Sequence, residues 1–130
     1  MIDRRTTLLL DRLRAIAARK ERFSYDVRGD SYVYSDFVAP YRLENSKGEP
    51  TTELTAALEH ALVNDGVVTG VKDPASGRTE YTSCRLYTDA GNALRFAKEQ
   101  GQEWVYNWNR SERVEVRQTP ERVPTAEAPL

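Results

Sequence analysis

The side chains able to do chemistry are few and scattered. His60 is the only histidine and Cys84 the only cysteine among 130 residues. A serine or cysteine nucleophile needs an adjacent base to take its proton, and no sequence spacing pairs His60 with one. Cys84, between Ser83 and Arg85, lies in a segment with strand character, where a thiol more often packs as a small apolar group than reacts. It has no partner for an internal disulfide, and no Cys/His spacing suggests zinc. Asp26, Asp30, Asp36 and Glu44 lack the ligand spacing of a calcium loop. Gly66, Gly70 and Gly77 belong to a helix stop and a turn rather than to a phosphate-wrapping loop. The expectation is a protein that is not an enzyme and holds no metal or cofactor.

Two other groups point to binding. Arg5, Arg12 and Arg19 sit seven apart and form a stripe along one edge of a helix over residues 3–22. That stripe is either a solvated edge or a contact for phosphates or an acidic partner. Trp104, Tyr106 and Trp108 alternate, so their rings share one side of a strand. They either cover the core or form a dimer or partner surface, since Trp and Tyr anchor interfaces. Stacking on single-stranded nucleic acid would need a basic groove, and the neighbouring charges do not make one.

The elements that must position these groups are legible in part. Leu9, Leu13, Ile16 and Ala17 recur at helical spacing. Phe23, Tyr25 and Val27 alternate, as do Tyr32 and Tyr34, with Arg28-Gly29-Asp30 between them as a hairpin turn. Ser35-Asp36 is placed to cap a short helix through Phe37, Val38, Tyr41 and Leu43, with Pro40 in its first turns. After the Asn45–Pro50 loop, Leu54, Ala57, Leu58, Ala61 and Leu62 make the buried face of a helix over Thr51–Asp65, and Gly66 stops it. Val67–Val71 and Thr79–Tyr87 read as antiparallel strands about the Asp73–Arg78 loop. Thr88 caps a helix through Gln100, and Ala90, Ala93, Leu94 and Ala97 face inward. Glu103–Arg117 reads as strand, turn and strand. Residues 1–117 thus form one domain, and 118–130, with Pro120, Pro124 and Pro129, form a flexible tail. No apolar run approaches the ~18 residues of a membrane span. Leu8-Leu9-Leu10 runs straight into Asp11 and Arg12, unlike a secretory signal, so a cytoplasmic location is expected.

Segment Thr51–Gly101 resembles the winged helix-turn-helix domains of MarR-like and PadR-like bacterial regulators. The residues that carry this are Leu54, Leu58, Leu62, Asp65-Gly66-Val67-Val68, the hairpin, and Leu86-Tyr87-Thr88-Asp89-Ala90-Gly91-Asn92-Ala93-Leu94. Tyr87 stands where those families usually have Leu. The resemblance implies an α+β winged helix with a C-terminal β-hairpin, and a regulator that binds double-stranded DNA and can pair as a homodimer. The Thr51–Asp65 helix would then enter the major groove, with Thr51, Thr52 and Thr55 at phosphates and Lys72, Arg78 and Arg85 along the wing.

Charge argues against direct readout by that helix. The chain carries a formal −1, with 19 basic and 20 acidic side chains. Residues 1–22 hold seven basic and three acidic side chains, a local +4, whereas 51–65 holds Glu53, Glu59 and Asp65 with no Lys or Arg, a local −3. With Leu54 and Leu58 inward, the outer face offers Thr52, Ala56, Glu59 and Val63. Base readout commonly uses Arg, Asn or Gln. The alternative is therefore an adaptor of phage or mobile-element type that binds a protein through Ala56, Glu59 and Val63, with Trp104, Tyr106 and Trp108 as a second contact.

Overall fold

The computed structural model describes residues 4–42 and 53–116. Helix α1 (Arg4–Arg19) leads into the hairpin of β1 (Arg22–Asp26) and β2 (Ser31–Tyr32), then β3 (Phe37–Pro40). Helix α2 (Leu54–Leu62) precedes the β4 (Val67–Lys72) and β5 (Thr79–Tyr87) hairpin. Helix α3 (Ala90–Glu99) precedes β6 (Trp104–Asn107) and β7 (Glu112–Glu115). Every strand joins one seven-stranded sheet in the order β2-β1-β4-β5-β3-β6-β7, and every neighbouring pair is antiparallel.

This corrects the winged-helix expectation. A winged helix is a small helical bundle with a short hairpin at its side, whereas here the expected wing, β4 and β5, is the middle of a wide sheet. The local order of helix, hairpin and helix is present, with β4 and β5 pairing as expected. The decisive difference is at residues 37–40, expected in a short helix. They form β3, which lies between β5 and β6 and so ties the C-terminal hairpin into the sheet. Pro40 is tolerated there because Tyr41 N–H, not residue 40, donates to Ser83 O at 2.8 Å. The Pro40–Cys84 pair needs no donor from a proline.

Smaller corrections have equally local causes. Helix α1 ends at Arg19 rather than residue 22, because Arg22 pairs with Val71 as the first residue of β1. Helix α2 gives way at Val63 to a turn in which Gly66 N–H donates to Ala61 O at 2.8 Å, and Gly66 takes the expected left-handed conformation with φ 78°. Asp89, not Thr88, caps α3, its carboxylate accepting from Asn92 N–H at 2.9 Å. The inward face of α3 is Ala93, Phe96 and Ala97. The Arg28-Gly29-Asp30 turn is held from two sides. Asp26 Oδ1 accepts from the Arg28 and Gly29 amides, and Asp30 accepts from Tyr25 Oη at 2.6 Å and pairs with Arg12 of α1. Of the arginine stripe, Arg12 is thereby engaged. The expected tail, 118–130, lies outside the described residues, as do Leu43 and the 45–50 loop.

All three helices cover one face of the sheet. Phe23 and Tyr25 of β1, Val68 of β4 and Tyr81 of β5 point to α1 and α2, and Ala39 of β3 and Val105 of β6 point to α3. Because side chains alternate along a strand, the residues between these face the other way: Arg22 and Ser24, Thr69 and Val71, Thr82 and Cys84, Val38, and Trp104 and Tyr106. No described helix lies on that second face, yet Ser24, Val38, Val67 and Cys84 are buried there. The sheet buries them by curling on itself. Four strand spacings separate β1 from β6, roughly 19 Å in a flat sheet. Trp108, one residue past β6, nevertheless donates from Nε1 to Ser24 Oγ of β1 at 3.0 Å.

Gly70 makes room for the ring of its cross-strand neighbour Phe23. A Cβ built there would lie 2.4 Å from Phe23 Cε1 and 2.6 Å from Cζ, and that ring is fully buried. Gly70→Ala is therefore expected to destabilise by about 1–3 kcal/mol through overpacking, which exceeds the gain from a stiffer unfolded chain. The readout is a lower urea midpoint with the slope unchanged. Adding Phe23→Leu should recover part of the loss. An unshifted midpoint in Gly70→Ala would mean that the ring does not cover residue 70.

Candidate functional site

The curl leaves a cup on the helix-free side. Its cavity measures about 490 Å³ and opens to solvent, within the usual range for small-molecule sites. Val38, Thr69, Thr82 and Cys84 line its depth, and Arg22, Val71 and Glu80 form one wall. Trp104, Tyr106 and Arg113 form the opposite wall, with residues 101–103 joining them. One end is closed by the Trp108–Ser24 contact, which continues into Thr69 because Ser24 Oγ lies 2.7 Å from Thr69 Oγ1. Cys84 Sγ reaches the same Thr69 oxygen at 3.4 Å. A buried polar set of this kind specifies geometry when its members are satisfied, and here it joins four strands or their ends.

The two arginines of the cup lie on its rings. The Arg22 guanidinium is 4.1 Å from the Tyr106 ring centre and that of Arg113 is 4.9 Å from the Trp104 centre. The Arg22–Tyr106 pair is a second bridge between β1 and β6. Burial lowers the Arg22 pKa, as does the like charge of Arg113, while the Tyr106 hydroxyl opposes the shift. Burial pushes the Cys84 thiol up to about 11, so it stays protonated at neutral pH and is a poor nucleophile.

A second cluster sits on the helix side. His60 Nδ1 lies 2.8 Å from Ser83 Oγ, a pairing with no sequence signal because α2 and β5 bring it together. It has the appearance of a serine–base dyad, but Ser83 is 0% exposed and no substrate atom could reach its oxygen. The Tyr41 ring packs on His60 at 4.9 Å, and Tyr41 Oη donates to Asp65, which also faces Arg85 at 3.9 Å. Burial and the Asp65 contact push the Tyr41 hydroxyl up to about 12. The cluster fastens α2 to β5 and β3. Among the described residues, no three His, Cys, Asp or Glu side chains gather as metal ligands, and no helix is long and apolar enough to cross a membrane.

The residues singled out from sequence fall in four places. Thr51 and Thr52 lie outside the described residues. Thr55 is half-buried on α2, whose outer face exposes Ala56, Glu59 and Val63, the last at 80%. Lys72 and Arg78 flank the β4–β5 turn, while Arg85 stands apart beside Asp65 and the rings of Tyr87 and Phe96. Trp104 and Tyr106 face the cup and Trp108 closes its end against Tyr106, 4.7 Å between centres. Sequence reasoning missed Arg22, Ser24, Thr69, Thr82 and Arg113. Their signal was present: Arg22, Ser24 and Asp26 alternate against Phe23 and Tyr25, which marks a polar second face on β1. No protein-family model, curated protein or solved structure matches the chain.

His60 supplies a pH test of the helix-side cluster. Burial lowers its pKa in the folded state, whereas the unfolded chain takes up the proton near pH 6.5. The unfolded state therefore binds the proton first as pH falls. Stability is full above that value, declines through it, and stops declining once the folded imidazole also protonates. Between about pH 7 and 5.5 the urea midpoint of the native chain should fall relative to that of His60→Gln. Parallel profiles for the two proteins would contradict a desolvated imidazole at this site.

Proposed function

We propose that this domain binds a small molecule in the cup on its helix-free sheet face. The carrying observation is an open cavity of about 490 Å³, walled by six strands and held by cross-sheet contacts of its own side chains. A sheet with one helix-covered face usually leaves the other to solvent or to a second layer. This one wraps its second face around space, with hydroxyls and apolar groups in the depth and rings and charges toward the mouth. Such a mixture suits recognition, where apolar walls bury the ligand and a few polar groups orient it.

The regulator reading depended on a helix projecting from a small bundle into a groove. Here the corresponding nine-residue α2 lies flat on β4 and β5, fastened through His60 and Ser83. The sequence features behind the binding expectation retain a place in the cup reading, because Trp104 and Tyr106 line the cup. Their rings are partly occupied by arginines, and Trp104 remains 39% exposed at the rim.

The expected outcome of a fragment screen by NMR is that perturbed amides cluster on β1, β4, β5 and β6 around Arg22, Thr69, Thr82 and Tyr106. Val71→Phe, which places a ring over the opening, should weaken those hits at least tenfold with the melting temperature almost unchanged. Hits that cluster on α2, or that ignore Val71→Phe, would place binding elsewhere.

A further inference from the structure

The geometry points to an organic oxyanion as the ligand class: a carboxylate or phosphate-monoester head held by Arg22 and Arg113, with an apolar body directed at Val38 and Val71. This rests on the reading of the cup as a binding site. Arg22 and Arg113 enter from β1 and β7, strands five spacings apart in the curled sheet, and face the same space. Each guanidinium lies on a ring, so its plane is held while its N–H groups remain available at the edges. Among the described residues, no carboxylate comes within 4 Å of either.

Glu80 and Glu103 also line the cavity. Neither forms an ion pair with the arginines, and neither contributes to the Arg22 shift, which burial and Arg113 produce. Two like charges thus face one partly desolvated space without a counter-charge in contact. An anion between them relieves their repulsion and meets planar forks that match carboxylate and phosphate oxygens. A cation would gain nothing from the two guanidinium forks, and a neutral isostere would gain only the apolar contacts. The apolar body is needed because the cup carries Val38 and the Cys84 thiol in its depth and Val71 on one wall, as well as hydroxyls. Inorganic phosphate alone would leave those walls in water.

The test titrates four probes into the full chain and follows cup resonances by NMR: 4-tert-butylbenzoate, its amide, its benzylammonium analogue and phenyl phosphate. The carboxylate should bind at least tenfold tighter than the amide, and the ammonium weakest. Arg22→Gln should remove the preference for carboxylate over amide while leaving amide binding in place. Arg22→Lys should keep part of it, since charge is retained and the fork is lost. Phenyl phosphate tighter than the carboxylate would support the same site with a phosphate head. Equal binding of carboxylate and amide would overturn the oxyanion inference while leaving the cup as a neutral-ligand site. If no probe moves the cup resonances, the cup reading falls together with this one.

Discussion

The indole of Trp108 meeting the hydroxyl of Ser24 is the contact on which the architecture turns. These residues are 84 positions apart in sequence. They also stand at opposite sides of the central five strands, so their contact requires the sheet to curl through roughly 19 Å of flat width. The contact does not stand alone. Ser24 continues to Thr69 and Thr69 to Cys84, and one level along the strands Arg22 lies over Tyr106. A polar network inside a curled sheet is costly if left incomplete, since each orphaned hydroxyl or indole N–H would carry its full desolvation penalty. The same condition makes the curl specific: flattening the sheet leaves Ser24 and Thr69 paired on adjacent strands but takes the partner of the Trp108 indole N–H away.

The two faces divide the energetics. On the helix side, Leu13, Leu58, Phe23 and Val68 are fully buried and supply ordinary hydrophobic stabilisation. Close approach there depends on the buried alanines of α2 and α3, which let the helices lie near the strands, while Gly70 leaves room for the Phe23 ring on the neighbouring strand. On the inner face, packing stops short of filling the space. A short apolar floor of Val38, Val67 and Cys84 with Trp108 seals one end, and beyond it the strands diverge around the cup. Recognition and stability are thus assigned to different sides of one sheet, linked through β1, β4 and β5, which contribute to both.

Much of the local structure was legible in the sequence because its signals are local. The alternation of Phe23 and Tyr25, the positive-φ stop at Gly66 and the small-residue face of α3 each depend on a few neighbours. What was not legible was the setting. Helix, hairpin and helix read the same whether the hairpin is a wing or the centre of a sheet, and the difference lies in four residues, Phe37–Pro40. Their apolar run fits a helix turn or a strand equally well, and Pro40 is compatible with the first turn of a helix. Only pairing with Cys84–Tyr87 and with Tyr106–Asn107, far away in sequence, decides the matter. The aromatic alternation at Trp104, Tyr106 and Trp108 was recognised, but not what it faces. Arg22 was absorbed into the end of α1, so the first residue of β1 and one wall of the cup disappeared together. Pairings such as His60 with Ser83 or Arg22 with Tyr106 leave no trace at fixed spacing, because the fold alone creates them.

The curl itself is the most direct thing to measure. In a nuclear Overhauser spectrum of the full chain, the Trp108 indole N–H should show a cross-peak to the Ser24 β-protons, accompanied by peaks between the Tyr106 ring and the Arg22 side chain. Those peaks join strands that are not neighbours in the sheet, so only a curled sheet produces them. Their absence, with the β1–β4 and β3–β6 pairings intact, would mean that the sheet is open and flat and that the cup does not exist.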